Sequence, residues 1–282
     1  MLHTLDFFSR QLAVWPEARQ RYDALAQVQT KAWMVEGRRL AVQWNPTRMV
    51  STGAKIDKAT LAKRPCFLCP TNRPAVQESV PLLEGRYELL VNPFPILPHH
   101  FTIPSTTHQP QRIREHYLDM MQMVELLPDL MVFYNGPSCG ASAPDHLHFQ
   151  TGDRIIGEPF SHAVKIVAQT PEESNERFQH LYASLPCPED QPEPMMNILA
   201  WKEKTDASVE DGATAQNGTT QLVTYVIPRG KHRPDCYFAE GEKQMLVSPG
   251  ALDMAGLVIT PREVDFRRMT PELAASILRE VM

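Results

Sequence analysis

Apolar residues recur at helical spacing over residues 5–29, with Pro16 interrupting the run, so the pattern predicts a helix broken near its middle. KAWMV and RLAVQW flank Glu36-Gly37 and predict a hairpin over residues 31–44. Residues 45–74 lose this periodicity and carry Arg48, Lys55, Lys58, Lys63 and Arg64, the pattern of a basic loop. Short strands are expected at YELLV (87–91) and HFTI (100–103), with a helix near 111–127. Strands at 130–134 and 146–150 then flank a Gly/Ser/Pro loop, residues 135–145. A strand at 163–168, a helix at 171–184 and a Pro-rich joint at 186–194 follow. The last third holds strands MNILAW (196–201), QLVTYVI (221–227) and GLVIT (256–260), then a terminal helix over 270–281. The polar stretch DASVEDGATAQNG between the first two of these predicts a hairpin insertion. Short strands mixed with helices define an α+β protein, a mainly antiparallel sheet with flanking helices.

An internal echo adds organisation. Residues 103–110 read IPSTTHQP and residues 227–234 read IPRGKHRP, each after an apolar strand. The shared Ile-Pro-x-x-x-His-x-Pro suggests a duplicated unit, with one half over residues 1–160 and a second over residues 161–282. The second half lacks the His-x-His that follows the first copy.

Composition narrows the setting. The chain has 282 residues, 43% hydrophobic and 22% charged, which is ordinary for a globular protein. A formal net charge of -5 gives no reason to expect nucleic acid or an anionic membrane as partner. The N-terminus has no basic segment leading into an apolar core, and no stretch reaches the roughly 18 apolar residues of a membrane span. The expected location is therefore the cytoplasm. In that compartment the pair Cys66-Phe67-Leu68-Cys69, among five cysteines, reads as metal or redox chemistry and not as a disulfide framework.

The segment with the most chemistry is YNGPSCGASAPDHLHFQ, residues 134–150. In a strand, His146, His148 and Gln150 share one face while Leu147 and Phe149 turn to the apolar side. The small residues Gly136, Ser138, Gly140 and Ser142 lead into that face, and such a loop lets backbone N–H groups approach a phosphate closely. Cys66 and Cys69 have the spacing that puts two thiolates on one metal, within a Pro-flanked loop and not at a helix start where a redox pair usually sits. A deaminase site would need a His-x-Glu upstream, and upstream of residue 65 the only histidine is His3, with leucine at residue 5.

On these residues the chain resembles the histidine-triad superfamily, in the transferase branch whose motif is His-x-His-x-Gln. That branch includes galactose-1-phosphate uridylyltransferase and diadenosine tetraphosphate phosphorylase, and HLHFQ also looks like the segment of the GDP-hexose phosphorylases. The resemblance runs from about residue 40 to 268, through NPTRMVSTGAK, CFLC, VNPFPILPHHFTIP, HLHFQ and AGLVITPREVDF. One departure is Ser142, six residues before His148 where the uridylyltransferase-like pattern has a serine five before.

The resemblance implies two tandem histidine-triad-like units, the second degenerate and contributing to the substrate pocket. It implies that His148 is the nucleophile, with Gln150 and Ser142 beside it. Gln150 can donate to a phosphoryl oxygen but is no base, which fits transfer over hydrolysis. It further implies a structural zinc ion on Cys66, Cys69, His108 and His146, and substrate contacts from Asn92, Phe94, Asn135, Gly140, Arg48 and Lys55. Arg229 and Lys231, at the end of the second-repeat strand, are further candidates for a phosphate. The implied activity is nucleotidyl transfer through a covalent nucleotidyl-histidine. A sugar-nucleotide phosphorylase is the leading form, and a diadenosine tetraphosphate phosphorylase or a non-catalytic zinc-stabilised nucleotide-binding protein are the alternatives. The partners expected are a nucleotide or sugar nucleotide and phosphate, for a monomer or homodimer.

Overall fold

Pro16 divides the first amphipathic run into α1 (Thr4–Val14) and α2 (Pro16–Leu25). Its ring removes an N–H that a continuous helix would need, while the first position of a new helix tolerates it. The hairpin follows as β1 (Gln29–Val35) and β2 (Arg38–Trp44), reversed at Glu36 and Gly37 with φ of 53° and 76°. Two successive positive φ values match the right-handed twist of a tight hairpin, and glycine takes the second without strain. The computed structural model describes residues 3–53, 56–204 and 220–282; the expected insertion at residues 206–218 and Lys55 lie outside them.

The basic loop contains two short helices, α3 (Met49–Thr52) and α4 (Lys58–Lys63). Asp57 caps α4 by accepting from the Thr60 N–H at 2.9 Å, a signal too local for the hydrophobic pattern to register. The strands of the first half are β3 (Val80–Leu82), β4 (Tyr87–Val91), β5 (His100–Pro104), β6 (Leu130–Asn135) and β7 (His148–Asp153). Helix α5 (Tyr117–Leu126) lies between β5 and β6. After them come β8 (Val164–Ala168), α6 (Pro171–Ser184), β9 (Met196–Lys204) and β10 (Thr220–Pro228). The chain closes with α7 (Asp235–Phe238), α8 (Ala251–Met254), β11 (Leu257–Thr260), α9 (Glu263–Arg268) and α10 (Pro271–Glu280).

Eight strands form one antiparallel sheet in the order β3-β4-β5-β7-β6-β9-β10-β8. The two halves expected from the internal echo meet where β6 pairs with β9, so the sheet continues across residue 160. Both Ile-Pro copies end a sheet strand, β5 and β10. GLVIT does not join this sheet. As β11 it pairs parallel to β2 in a separate three-stranded sheet, β1-β2-β11.

Alternation along the central strands divides the interior into two layers. Phe133, Leu199, Trp201 and Val223 face the small sheet and the C-terminal helices. Val132, Tyr134, Ile198 and Phe149 face α5 and the N-terminal helices. Burying each of these side chains stabilises the fold by about 1.5–3 kcal/mol. His148 and Gln150 alternate with Phe149 along β7, which turns them to the small-sheet side, where a cavity opens between the layers.

Strand β7 begins two residues later than expected. Leu147 N–H donates to the Gln109 carbonyl at 2.6 Å, and the Gln111 N–H to the Pro144 carbonyl at 3.0 Å. Residues 144–147 are thus engaged by the segment after β5, which leaves His146 outside the strand and free to face elsewhere. No helix of the described residues is long and apolar enough to cross a membrane.

Candidate active site

His148 is anchored by its backbone before its side chain matters. Gln111, fully buried, accepts the His148 N–H at 2.7 Å, and its amide donates to the His148 and Asn135 carbonyls, both at 2.9 Å. One side chain thereby ties the starts of β7 and the Gly/Ser loop together. The His148 ring bonds the His146 carbonyl through Nδ1 at 2.8 Å. A carbonyl only accepts, so Nδ1 carries the proton and Nε2 keeps its lone pair. Burial pushes the His148 pKa down to about 4, so the imidazole is neutral at physiological pH. A neutral, oriented imidazole on a cavity wall is equipped to act as a nucleophile.

Gln150 is oriented by a chain of two bonds. The Ile96 N–H donates to His100 Nδ1 at 3.1 Å, which puts the remaining ring proton on Nε2. That Nε2 donates to Gln150 Oε1 at 3.0 Å, leaving the Gln150 amide nitrogen for a ligand. Burial, with the Arg48 charge as a second cause, lowers the His100 pKa to about 3 and keeps the ring neutral.

The cavity has a volume of about 680 Å³ and is lined by His148, Gln150, Ser142, Gly140, Asn135, Asn92, Phe94 and Arg48. This size suits a small-molecule ligand. Gly140 sits at φ 97°, and a Cβ there would come within 2.7 Å of Gly250 Cα, so the close approach of the loop to the α8 turn requires glycine at position 140. Asn135 accepts from the Ala251 N–H at 2.7 Å and from Asn197 at 3.0 Å, which leaves its amide nitrogen for a ligand. Asn92 accepts the Phe94 N–H at 2.8 Å and donates to Thr102 at 3.0 Å. It is thus both a turn-former and part of the wall. Arg48 donates to the Phe94 carbonyl at 2.7 Å; burial lowers its pKa to about 10, so it stays cationic.

Two of the candidate residues are not brought to this cavity. Arg229 is buried, and its guanidinium donates to Asn197 and to the carbonyls of Val281, Pro249, Lys231 and His232. Every direction of the fork is thereby occupied within the protein. Its bond to Asn197, which holds Asn135 and the Cys139 carbonyl, makes it a brace under the Gly/Ser loop. Lys231 pairs at the surface with Asp235 and Glu280.

Residues that the linear pattern did not single out complete the wall. Trp15 comes from the junction between α1 and α2 and Arg21 from α2, with Arg21 4.3 Å over the Phe94 ring. Asp253 accepts the Gly250 and Ile259 N–H groups at 2.9 and 2.8 Å, and burial raises its pKa to about 6.

The other side of the loop carries a compact donor cluster. Ligand atoms of Cys66, Cys69, His108 and His146 all lie within 4.8 Å of one another, a group that could hold a metal ion. His146 Nδ1 is 3.3 Å from Cys66 Sγ and 3.5 Å from Cys69 Sγ, and His108 Nδ1 is 3.2 Å from Cys69 Sγ. Two ligands on a tetrahedral ion with metal–sulfur and metal–nitrogen bonds near 2.3 and 2.0 Å would stand about 3.5 Å apart. His146 Nε2 bonds the Ser105 carbonyl at 2.8 Å, which fixes the tautomer that leaves Nδ1 as the ligand atom.

Comparisons with known proteins agree with this architecture. The yeast Ap4A phosphorylase Apa2 has the same overall fold, with a TM-score of 0.59 at 14% identity, covering 94% of this chain and 96% of the yeast one. Apa2 crystallised in complex with AMP matches with a TM-score of 0.54 at 13% identity over the same shares of the two chains. The chain therefore shares the mixed α+β fold of this yeast enzyme, a large antiparallel sheet flanked by helices. Residues 7–153, just over half the chain, match the family described as "Domain of unknown function (DUF4922)", and the chain belongs to that family. None of the curated proteins compared with the sequence matches it.

Proposed function

We propose that the protein is a nucleotidyl transferase of the phosphorylase type, in which His148 takes a nucleoside monophosphate from a dinucleoside polyphosphate and passes it to inorganic phosphate. The observation that carries the reading is the state of His148: neutral, with Nδ1 held by the His146 carbonyl and Nε2 available on the wall of a ligand-sized cavity.

In the first step the Nε2 lone pair attacks the α-phosphorus. A P–N bond forms as the P–O bond to the remaining phosphates breaks, and these leave as a nucleoside oligophosphate. The proton stays on Nδ1, donated in a hydrogen bond to the His146 carbonyl, which disperses the charge that develops on the ring. In the second step a phosphate oxygen attacks the same phosphorus. The P–N bond breaks, the imidazole returns to its neutral form, and a nucleoside diphosphate leaves. Gln150 donates its amide N–H to a non-bridging oxygen in both steps, aimed by His100. Lacking a basic atom, it does not activate water. Gly140 and Ser142 leave room for the phosphoryl group to approach.

Zinc is the metal that the four-residue cluster fits, since two thiolates and two imidazoles are its usual tetrahedral donors. Cys66, Cys69, His108 and His146 would hold it with no open position. Its contribution would be structural, fixing the segment that leads into His148.

The donor class follows from fold and motif together. Likeness to a yeast Ap4A phosphorylase favours a dinucleoside polyphosphate. A sugar nucleotide is the second reading, favoured by the HLHFQ segment. Incubation with diadenosine tetraphosphate or with GDP-, UDP- and ADP-hexoses, with and without phosphate, tests both. Phosphate-dependent conversion of diadenosine tetraphosphate to ADP and ATP is expected. Release of AMP irrespective of phosphate would mean a hydrolase, and no turnover of any donor would leave a binding module.

A further inference from the structure

Arg64 is a cavity-wall cation whose guanidinium is only partly used. It follows α4 and donates from Nη2 to Asp145 Oδ1 at 2.6 Å, while the group lies 5.2 Å over the Phe67 ring. Its other terminal nitrogen, Nη1, is buried and has no hydrogen-bond partner among the described residues. Leaving a charged donor buried and unpaired is unfavourable, so such a group is suited to an acceptor that arrives with the ligand. The other two arginines of the wall each spend a terminal nitrogen on a backbone carbonyl, Arg21 on Pro93 and Arg48 on Phe94.

The surroundings of Arg64 say what that acceptor is. Asp145 and Phe67 hold the guanidinium plane still, so the fork reaches a ligand already oriented, and a planar fork matches phosphoryl oxygens. Asp145 also cancels most of the charge, so recognition depends on the direct hydrogen bond more than on long-range attraction. Arg64 comes from the Cys66–Cys69 loop and not from the strand that carries His148 and Gln150. It therefore reaches the ligand from a different wall than the group that attacks it.

We infer that Arg64 is a phosphate-binding residue of the cavity, holding through Nη1 a phosphoryl group beyond the one that His148 attacks. The inference rests on the nucleotidyl-transfer reading for the identity of the ligand. The Arg64–Asp145 pair also links the metal cluster to the cavity, since Arg64 is two residues before Cys66 and Asp145 directly precedes His146. This makes Asp145 a positioning residue for the subsite.

Calorimetric titration of the intact protein with AMP, ATP and inorganic tripolyphosphate tests the inference without requiring turnover. Wild type is expected to bind ATP more tightly than AMP. Arg64→Gln should reduce that ATP-to-AMP preference about tenfold or more while leaving AMP affinity within about twofold, the scale of one lost charge-assisted contact. Arg64→Lys, which keeps the charge without the fork, should fall between. Asp145→Asn should retain most of the preference, because the amide oxygen can still accept from Nη2 and keep the cation in position; thermal midpoints and metal content of all three variants report any structural damage. Equal loss of AMP and ATP binding in Arg64→Gln, an unchanged ratio, or the same loss in Asp145→Asn would overturn the assignment. Tripolyphosphate binding that depends on Arg64, with no nucleotide bound, would keep the anion subsite and remove the nucleotide reading. Absence of binding by all three probes to wild type would remove both.

Discussion

On one side of Leu147, His146 turns its Nδ1 to two cysteine thiols and gives its Nε2 to the Ser105 carbonyl. On the other side, His148 gives Nδ1 to the His146 carbonyl and keeps Nε2 for the cavity. Both rings are buried and both are held neutral by burial, so accessibility and protonation do not separate them. What separates them is which nitrogen the backbone claims. The carbonyls of Ser105 and His146 select opposite ring atoms of two histidines two residues apart, and the same residue type becomes a metal-ligand candidate in one case and a candidate nucleophile in the other. The first cluster is closed on itself, whereas the second faces a ligand-sized space.

His148→Ala should lower the rate of covalent labelling by at least about a thousandfold, as loss of a nucleophile does, while the protein stays folded with its metal content unchanged. Cys66→Ser should do the reverse, removing the metal and lowering the thermal midpoint. Labelling should then fall only about 10- to 100-fold, through misplacement of His148. Gln111→Leu strands the His148 N–H and two carbonyls in the interior, at about 1–3 kcal/mol for each group left unpaired. It should therefore lower the unfolding free energy measured in denaturant and slow labelling together. Smallest of all, Lys231→Ala should leave labelling unchanged, since its ammonium pairs with Asp235 and Glu280 at the surface, away from the cavity wall.

Acidity sharpens the same contrast. The reactive form of His148 is the neutral one, and burial has moved its pKa down to about 4. Labelling should therefore hold as pH falls through the usual histidine range near 6.5 and be lost only around pH 4. An acid limb centred near 6.5 would mean that the nucleophile is a solvated histidine elsewhere. Initial labelling rates between pH 4 and 8 would separate these outcomes.

Much of the fold was legible from periodicity. YELLV and the helix at 171–184 form with the expected bounds, and the break at Pro16 falls where its missing N–H requires. GLVIT reads as a strand, but no local signal says that it pairs with β2, more than 200 residues earlier. Of the donor cluster, Cys66 and Cys69 were legible from their spacing, whereas His108 and His146 were reached only through the family resemblance. Gln111, His100 and Asp253 were not legible, since each acts through partners that only the fold brings close. Arg229 gave a misleading local signal. A cation at a strand end suggests an anion site, yet the fold surrounds it with carbonyls.

In the proposed reaction His148 Nε2 forms a bond to phosphorus. Intact mass measurement after incubation with diadenosine tetraphosphate, without phosphate, tests it directly. Wild type is expected to carry a nucleoside monophosphate adduct that is absent from His148→Ala and discharged when phosphate is added. A folded, metal-loaded wild type that gains no mass from this donor or from any of the hexose nucleotides, or an adduct that persists in His148→Ala, would contradict it.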